Sequence, residues 1–292
     1  MKLWKRNRHS GDKLLGWVFN LIALFIILVP FSSLVIGSIQ TESSLITNTR
    51  SIFPKEVTLQ NFMILIKGDT SDRRYPSQVR TFPAAFGRSA IVASATSLIT
   101  VFFGSLSAYT LARLKFRGKN SFSIIVLATR MVPVIALIIP LYLTLRNFKL
   151  LNTLSGIIIT EVSFLLPLTI WMLRSYFESL PAELEEAARV DGTTRMGAFA
   201  RIVIPLSAPG MAATFVITFL LSWNEFLIPI IIGSSERVWT LPMLLSTFIS
   251  DFNLQYTIVN SVALLSTLPT ILLAIILQKY VIAGLTAGAV KG

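Results

Sequence analysis

The sequence of 292 residues is 53% hydrophobic and only 14% charged. Soluble domains carry about 25% charged residues, so this composition excludes an ordinary globular fold and reads as an integral membrane chain with several spans. Cysteine is missing and the one histidine is His9, which excludes disulfides, a thiol nucleophile, thiolate metal sites and a histidine-based metal centre; the net charge of +12 lies mostly beside apolar runs, where it fits membrane orientation and anionic headgroups better than nucleic acid.

A hydrocarbon core of about 30 Å needs about 20 apolar residues per helix. Six such runs follow a basic N-terminal arm, residues 1–13, that holds Lys2, Lys5, Arg6, Arg8 and Lys13. The first is 14–39. It exceeds the roughly 7–15 apolar residues of a signal-peptide core, and no clear A-x-A site follows, so it is expected to be a retained helix. A loop, 40–88, carries Pro54, Pro76 and Pro83 and is expected to be irregular, with one short helix near Leu59–Ile66. Spans two to four are expected at 89–111, 122–145 and 154–173, and spans five and six at 208–232 and 256–277. The core is therefore 89–279, interrupted by a polar segment at 174–207, and 280–292 forms a C-terminal tail. The expected fold is an all-α integral membrane protein of six transmembrane helices.

Lysine and arginine in short loops set orientation. The arm, the Arg113–Lys119 loop with Arg117 and Lys115, and the 174–207 loop with Arg174, Arg189, Arg195 and Arg201 share one face if there are six spans. The rule puts that face, and both termini, in the cytoplasm. The 40–88 loop is then extracytoplasmic; its own Arg73, Arg74 and Arg80 conflict only mildly, because long loops cross largely regardless of charge.

The 174–207 loop reads as two short helices meeting at a glycine. Pro181 is expected at a first helical position. Glu183, Glu185 and Glu186 favour the positive end of the helix dipole, and Gly192 suits a left-handed cap. Thr193 or Thr194 can cap the second helix, which is expected to present Met196, Phe199 and Ile202 on one face and to stop before Pro205. Such an amphipathic elbow could lie on lipid headgroups or dock to a protein partner.

The stretch Glu186-Ala187-Ala188, Asp191-Gly192, nine residues, then Ile202-Val203-Ile204-Pro205 resembles the EAA loop of ABC importer permeases, with Ile204 standing where the family pattern has leucine. The resemblance implies that the loop is a coupling helix seated in a cleft of an ATP-binding subunit, through Glu186, Ala187, Ala188, Asp191 and Gly192, with Phe199, Ile202 and Pro205 completing the segment. Ser222-Trp223-Asn224-Glu225-Phe226-Leu227, the Arg130-Met131-Val132-Pro133 stretch and the C-terminal Gly284–Gly292 run are similar to carbohydrate-uptake permeases, most of all the G-type maltose-importer subunit. This implies a non-catalytic permease in the bacterial inner membrane, forming half of a pathway for a sugar or oligosaccharide. It further implies a related second permease, giving a heterodimer, with two ATP-binding subunits and an extracytoplasmic solute-binding protein. ATP and Mg would be bound by those partners, since the chain has no G-x-x-x-x-G-K-[ST] motif. An acidic oligosaccharide or a sugar-phosphate type of solute is the alternative cargo. An ATPase-independent channel would leave the loop without a partner, and an intramembrane hydrolase lacks a paired nucleophile and base.

Arg130, Glu161 and Glu225 fall inside apolar runs. A charge at a helix centre costs about 2.5–3.5 kcal/mol on insertion scales, so such residues face a bundle interior or a wet cavity. They line the solute path, or they form an internal pair, Arg130 with Glu161 or Glu225, that locks packing; Glu161 could also sit wet near the outer interface. Trp223 and Asn224 belong to the same candidate path, with core packing as the other role for Trp223. Pro30, Pro133, Pro140, Pro167, Pro229 and Pro269 mark kinks, as hinges or as static shape. Gly104, Ser105, Ser107 and Ala108 form a small-residue patch suited to close helix contact.

Overall fold

Proline and glycine mark several of the helix ends in this chain, and the breaks divide the long apolar runs more finely than hydropathy alone. The computed structural model describes residues 10–47, 54, 56–69, 71, 75–249 and 255–289. Arg6, His9, Trp4 and the rest of 1–9, together with Arg73, Arg74 and Lys291, lie outside the described residues. Among those described, the secondary structure is helical throughout. Four helices are long and apolar enough to cross a membrane, or six if each of two bent pairs counts as one span.

The chain forms two units, 1–80 with 251–265, and 81–250 with 266–292. In the first, α1 (Ser10–Ser38) is one long apolar helix whose side chains from Leu15 to Phe31 stay largely exposed. The described part of the following loop holds more helix than its prolines suggest. It holds α2 (Glu42–Thr47) and α3 (Gln60–Lys67), the latter one residue from the expected short helix. Asn61 ties α3 back to the chain, its Nδ2 donating to the carbonyls of Ser38 at 2.9 Å and Gln40 at 2.8 Å.

In the second unit, α4 (Phe82–Arg113) begins seven residues before the expected 89. Pro83 is the reason: in the first helical turn its missing N–H is no loss, so it starts the helix instead of interrupting it. The run expected as a single third span, 122–145, is broken. α5 (Lys119–Ala128) and α6 (Ile138–Asn147), with 3₁₀ turns between them, bend by 87°. Val132 precedes Pro133 and takes the extended conformation, φ −73° and ψ 119°, that a pre-proline residue prefers.

α7 (Leu154–Ser179) starts at a Thr153 cap, which accepts from the Gly156 N–H at 3.0 Å, and runs six residues past the expected end at 173. Pro167 lies inside it without stopping it. α4 and α7 pack closely because of the small-residue patch. A side chain at Gly104 would stand 2.6 Å from Thr169 Cγ2. The polar segment contains α8 (Glu183–Val190), α9 (Arg195–Ala198), a π turn at Phe199–Val203 and α10 (Ile204–Leu206).

The expected fifth span, 208–232, is also two helices, α11 (Ala208–Trp223) and α12 (Leu227–Ile232), parted at Asn224–Phe226. α11 itself bends by 75° from the helical stretch Arg195–Leu206. α13 (Leu241–Ile249) has no counterpart in the expected spans, being too short to cross a bilayer. Leu241, Leu244 and Phe248 bury it, and the Leu241 N–H donates to Ser89 Oγ at 2.7 Å. The last helix, α14 (Tyr256–Ala289), begins in the first unit and continues, from Ser266, in the second. Within the first unit the Glu42 carboxylate caps it, accepting from the N–H groups of Tyr256 at 3.1 Å and Thr257 at 2.9 Å.

Candidate functional site

The turn at Gly192 is built as its sequence demands. Gly192 has φ +86°, the left-handed region that favours glycine. The Thr193 N–H donates to the Ala188 carbonyl at 3.0 Å and the Gly192 N–H to the Arg189 carbonyl at 3.1 Å. This double bond pattern is the Schellman cap, and it stops α8 sharply. Thr194 then opens the next helix, accepting from the Gly197 N–H at 3.1 Å.

Three details differ from expectation. Pro181 does not occupy the first helical position. Leu180, extended ahead of it, ends α7, and α8 begins only at Glu183, after Ala182. The second helix does not stop before Pro205 either, because the π turn widens the backbone just ahead of it; the Ile204 N–H reaches back to the Phe199 carbonyl and relieves the clash a proline ring makes inside an α-helix. The widened turn also shifts the buried face. Ala198, Phe199 and Val203 are buried, Ile202 is half-buried and Met196 is exposed, in place of the expected Met196, Phe199 and Ile202.

Phe199 seats this segment on the bundle. Its ring lies 4.5 Å from that of Tyr109 on α4 and 6.3 Å, edge-on, from Phe177 on α7. Ala108, Leu173 and Val203 complete the cluster. The other named residues face outward: Glu186, Ala187, Asp191, Gly192 and Pro205 are exposed and Ala188 is half-buried. Leu184 and Val190 join them as exposed apolar side chains, Val190 at 87%. The segment thus has one face fixed to α4 and α7 and one face open, with small residues, carboxylates and apolar side chains on it.

In the sequence Glu185 stands only as one of three acids at the start of the helix, yet it is the buried acid of α8. Its carboxylate accepts from Tyr109 Oη at 2.9 Å and forms an ion pair with Arg113. The residues involved lie 72 and 76 positions apart, so no local signal pairs them.

The intramembrane charges meet at a second place. Arg130, Glu161, Ser222 and Glu225 line a cavity of about 160 Å³, together with Val132, Val134, Phe164, Leu165, Leu221 and Ile228. The breaks after α5 and α11 bring them there: Arg130 sits beside the Val132–Pro133 bend and Glu225 in the gap before α12. The proposed internal pairs are not formed. Arg130 Nη1 donates to the Phe164 carbonyl at 3.1 Å, and the ion pairs among the described residues are Arg113–Glu185 and Arg174–Glu178.

Glu161 is 2% exposed, so it is not wet at an outer interface. Its Oε2 accepts from Thr96 Oγ1 at 3.3 Å and from Ser222 Oγ, whereas its buried Oε1 has no partner. Glu225 Oε1 accepts from the N–H groups of Leu227 at 2.9 Å and Ile228 at 3.1 Å, capping α12. Trp223 and Asn224 do not line this cavity. Trp223 is buried, stacked on Phe219 at 5.8 Å and edge-on to Phe86 at 5.5 Å, with Nε1 donating to the Ser266 carbonyl at 3.1 Å. Asn224 turns back to the Leu220 carbonyl at 2.7 Å.

A bundle of long apolar helices with broken spans, an intramembrane polar cavity and a structured polar loop defines a membrane transport protein. Residues 76–286 match the family described as binding-protein-dependent transport system inner membrane component, and the chain belongs to that family. Relatives include the arabinooligosaccharides transport system permease protein AraQ of Halalkalibacterium halodurans, 31% identical over 98% of this chain and 100% of the relative. The trehalose/maltose transport system permease protein MalG of Thermococcus litoralis is 31% identical over 93% and 94%. The sulfoquinovosyl glycerol transport system permease protein SmoH of Agrobacterium fabrum is 32% identical over 95% of each chain. The fold matches a chain in the crystal structure of a bacterial ABC transporter that imports the acidic polysaccharide alginate, with TM-score 0.75 and 23% identity over 96% and 99% of the two chains.

Proposed function

We propose that this chain is the permease subunit of an ATP-driven importer for a sugar or oligosaccharide. The observation that carries the reading is the Gly192 segment: a patterned polar loop whose inner face is fixed to two long helices and whose outer face is left for a partner. One of two separate ATP-binding subunits, which hold ATP and Mg, would grip that face in the cytoplasm through Glu186, Ala187, Ala188, Asp191 and Gly192. Both termini would lie on the same side. A second, related permease would complete the pathway, and an extracytoplasmic binding protein would deliver the solute. The relatives named for arabinooligosaccharides, trehalose and maltose support the sugar class. The relative named for sulfoquinovosyl glycerol supports a broader range of sugar derivatives as the second reading.

Arg130, Glu161 and Glu225 are proposed to line that pathway. Their cavity offers carboxylate acceptors and a guanidinium donor beside the Phe164 ring, a mixture that suits hydroxyl groups on an apolar ring face. Closure of the ATPase dimer would move the Gly192 segment, and α4 and α7 with it, so that the spans rock between inward-open and outward-open arrangements. The test is reconstitution with co-expressed partners. Gly192→Pro and Glu186→Lys should reach the membrane in normal amount while uptake per ATP hydrolysed falls at least tenfold. Normal uptake in both variants contradicts the coupling role.

A further inference from the structure

α8 has an unusual attachment. Its buried residue is a glutamate, while Leu184 at 45% and Val190 at 87% leave its large apolar side chains exposed. Apolar packing does not therefore set the angle of this helix. A directional polar cluster ties it to the end of α4, beside its contacts with α9 and the π turn. Glu185 accepts from Tyr109 Oη at 2.9 Å through Oε2 and pairs with the Arg113 guanidinium through Oε1. Arg113 also donates from Nη2 to the Leu180 carbonyl at 3.0 Å, and Tyr109 Oη, whose one proton goes to Glu185, lies 3.4 Å from the Arg195 carbonyl. One arginine thus grips the start of the turn into α8 and the first turn of α8 itself. One tyrosine touches both helices that flank Gly192. A pocket of about 90 Å³ borders the cluster on one side, and on the other the Tyr109 ring packs into the apolar cluster around Phe199.

We propose that Glu185, held by Tyr109 and Arg113, is the positioning residue that makes α8 move as one rigid piece with the end of α4. This inference rests on the coupling reading for its consequence but not for its geometry. Glu186, one residue on, is exposed on the lining of the same pocket, where a partner would reach it, while Glu185 is buried against Tyr109 and Arg113. Two adjacent carboxylates would thereby divide the task of receiving a push and passing it on. A charge-assisted clamp suits that task because its geometry is specific in direction as well as distance.

The test uses the whole assembly, with nitroxide labels at Glu183→Cys and Thr110→Cys, both exposed and outside the residues proposed to meet the partner; the natural chain has no cysteine to interfere. Pulsed EPR measures the distance between the labels with and without AMP-PNP. The unmodified clamp should give a narrow distribution that AMP-PNP does not shift. Glu185→Ala should at least double its width and make it respond to AMP-PNP. The exchange of Glu185→Arg with Arg113→Glu should narrow it again. If Glu185→Ala does not assemble, Tyr109→Phe and Arg113→Lys decide, each broadening the distribution to a smaller extent. Widths equal to the unmodified protein in Glu185→Ala, or in both milder variants, overturn the clamp. Normal uptake per ATP hydrolysed by the Glu186→Lys chain counts against the coupling reading instead, and leaves the clamp to be judged on the widths alone.

Discussion

The Gly192 segment and the Arg130–Glu161–Glu225 cavity treat buried carboxylates in opposite ways. Glu185 has both oxygens engaged, one by Tyr109 and one by Arg113. Glu161 has one oxygen engaged and the other, Oε1, buried without a partner. A carboxylate with both oxygens engaged is fixed in geometry, whereas one with a free buried oxygen keeps hydrogen-bonding capacity for a ligand, a proton or water. The first region is suited to transmitting force and the second to meeting a solute.

The largest effect that can break this contrast is expected at Gly192. Proline cannot adopt φ +86° and also loses the N–H that reaches Arg189, so Gly192→Pro should abolish the cap and reduce uptake at least tenfold. Next is Phe199→Ala. It removes the ring between Tyr109 and Phe177 and should cost about 3–5 kcal/mol of stability, read as a lower melting temperature in detergent.

Glu225→Gln sharpens the cavity side. The amide oxygen can still accept from Leu227 and Ile228, so the α12 cap survives while the charge is lost. Altered transport kinetics at an unchanged melting temperature are expected; unchanged kinetics would reduce Glu225 to a capping residue. Trp223→Phe keeps the ring stack but drops the bond to Ser266, a loss of about 1 kcal/mol in melting experiments. The smallest effect is Asn224→Ala, with uptake within twofold of normal, because Asn224 stands outside the cavity lining.

Much of this was legible because the signals are local. Gly192, Thr194 and the α3 helix follow from caps and short apolar patterns, and the close α4–α7 contact follows from Gly104 and its small neighbours. The broken spans were half legible. Pro133 was visible as a kink, but an 87° bend depends on the extended Val132 and on what surrounds it. Hydropathy also reads straight through Asn224–Phe226, since the residues on either side are apolar. The Glu185 cluster was hidden because its partners are more than 70 residues away, and adjacent Glu186 carries the stronger motif signal. The buried face of the second short helix was misplaced for a different reason: a π turn changes the helical period that the i, i+3 count assumes.

The most direct measurement is photocrosslinking from Val190, the more exposed of the two large apolar residues of α8, using a benzoylphenylalanine at that position in intact cells. The expected adduct is a separate nucleotide-hydrolysing subunit, formed in good yield and lost with Gly192→Pro. Adducts to lipid alone, or access of a membrane-impermeant reagent to this position from outside the cell, would contradict the claim that this segment is held by an ATP-driven partner in the cytoplasm.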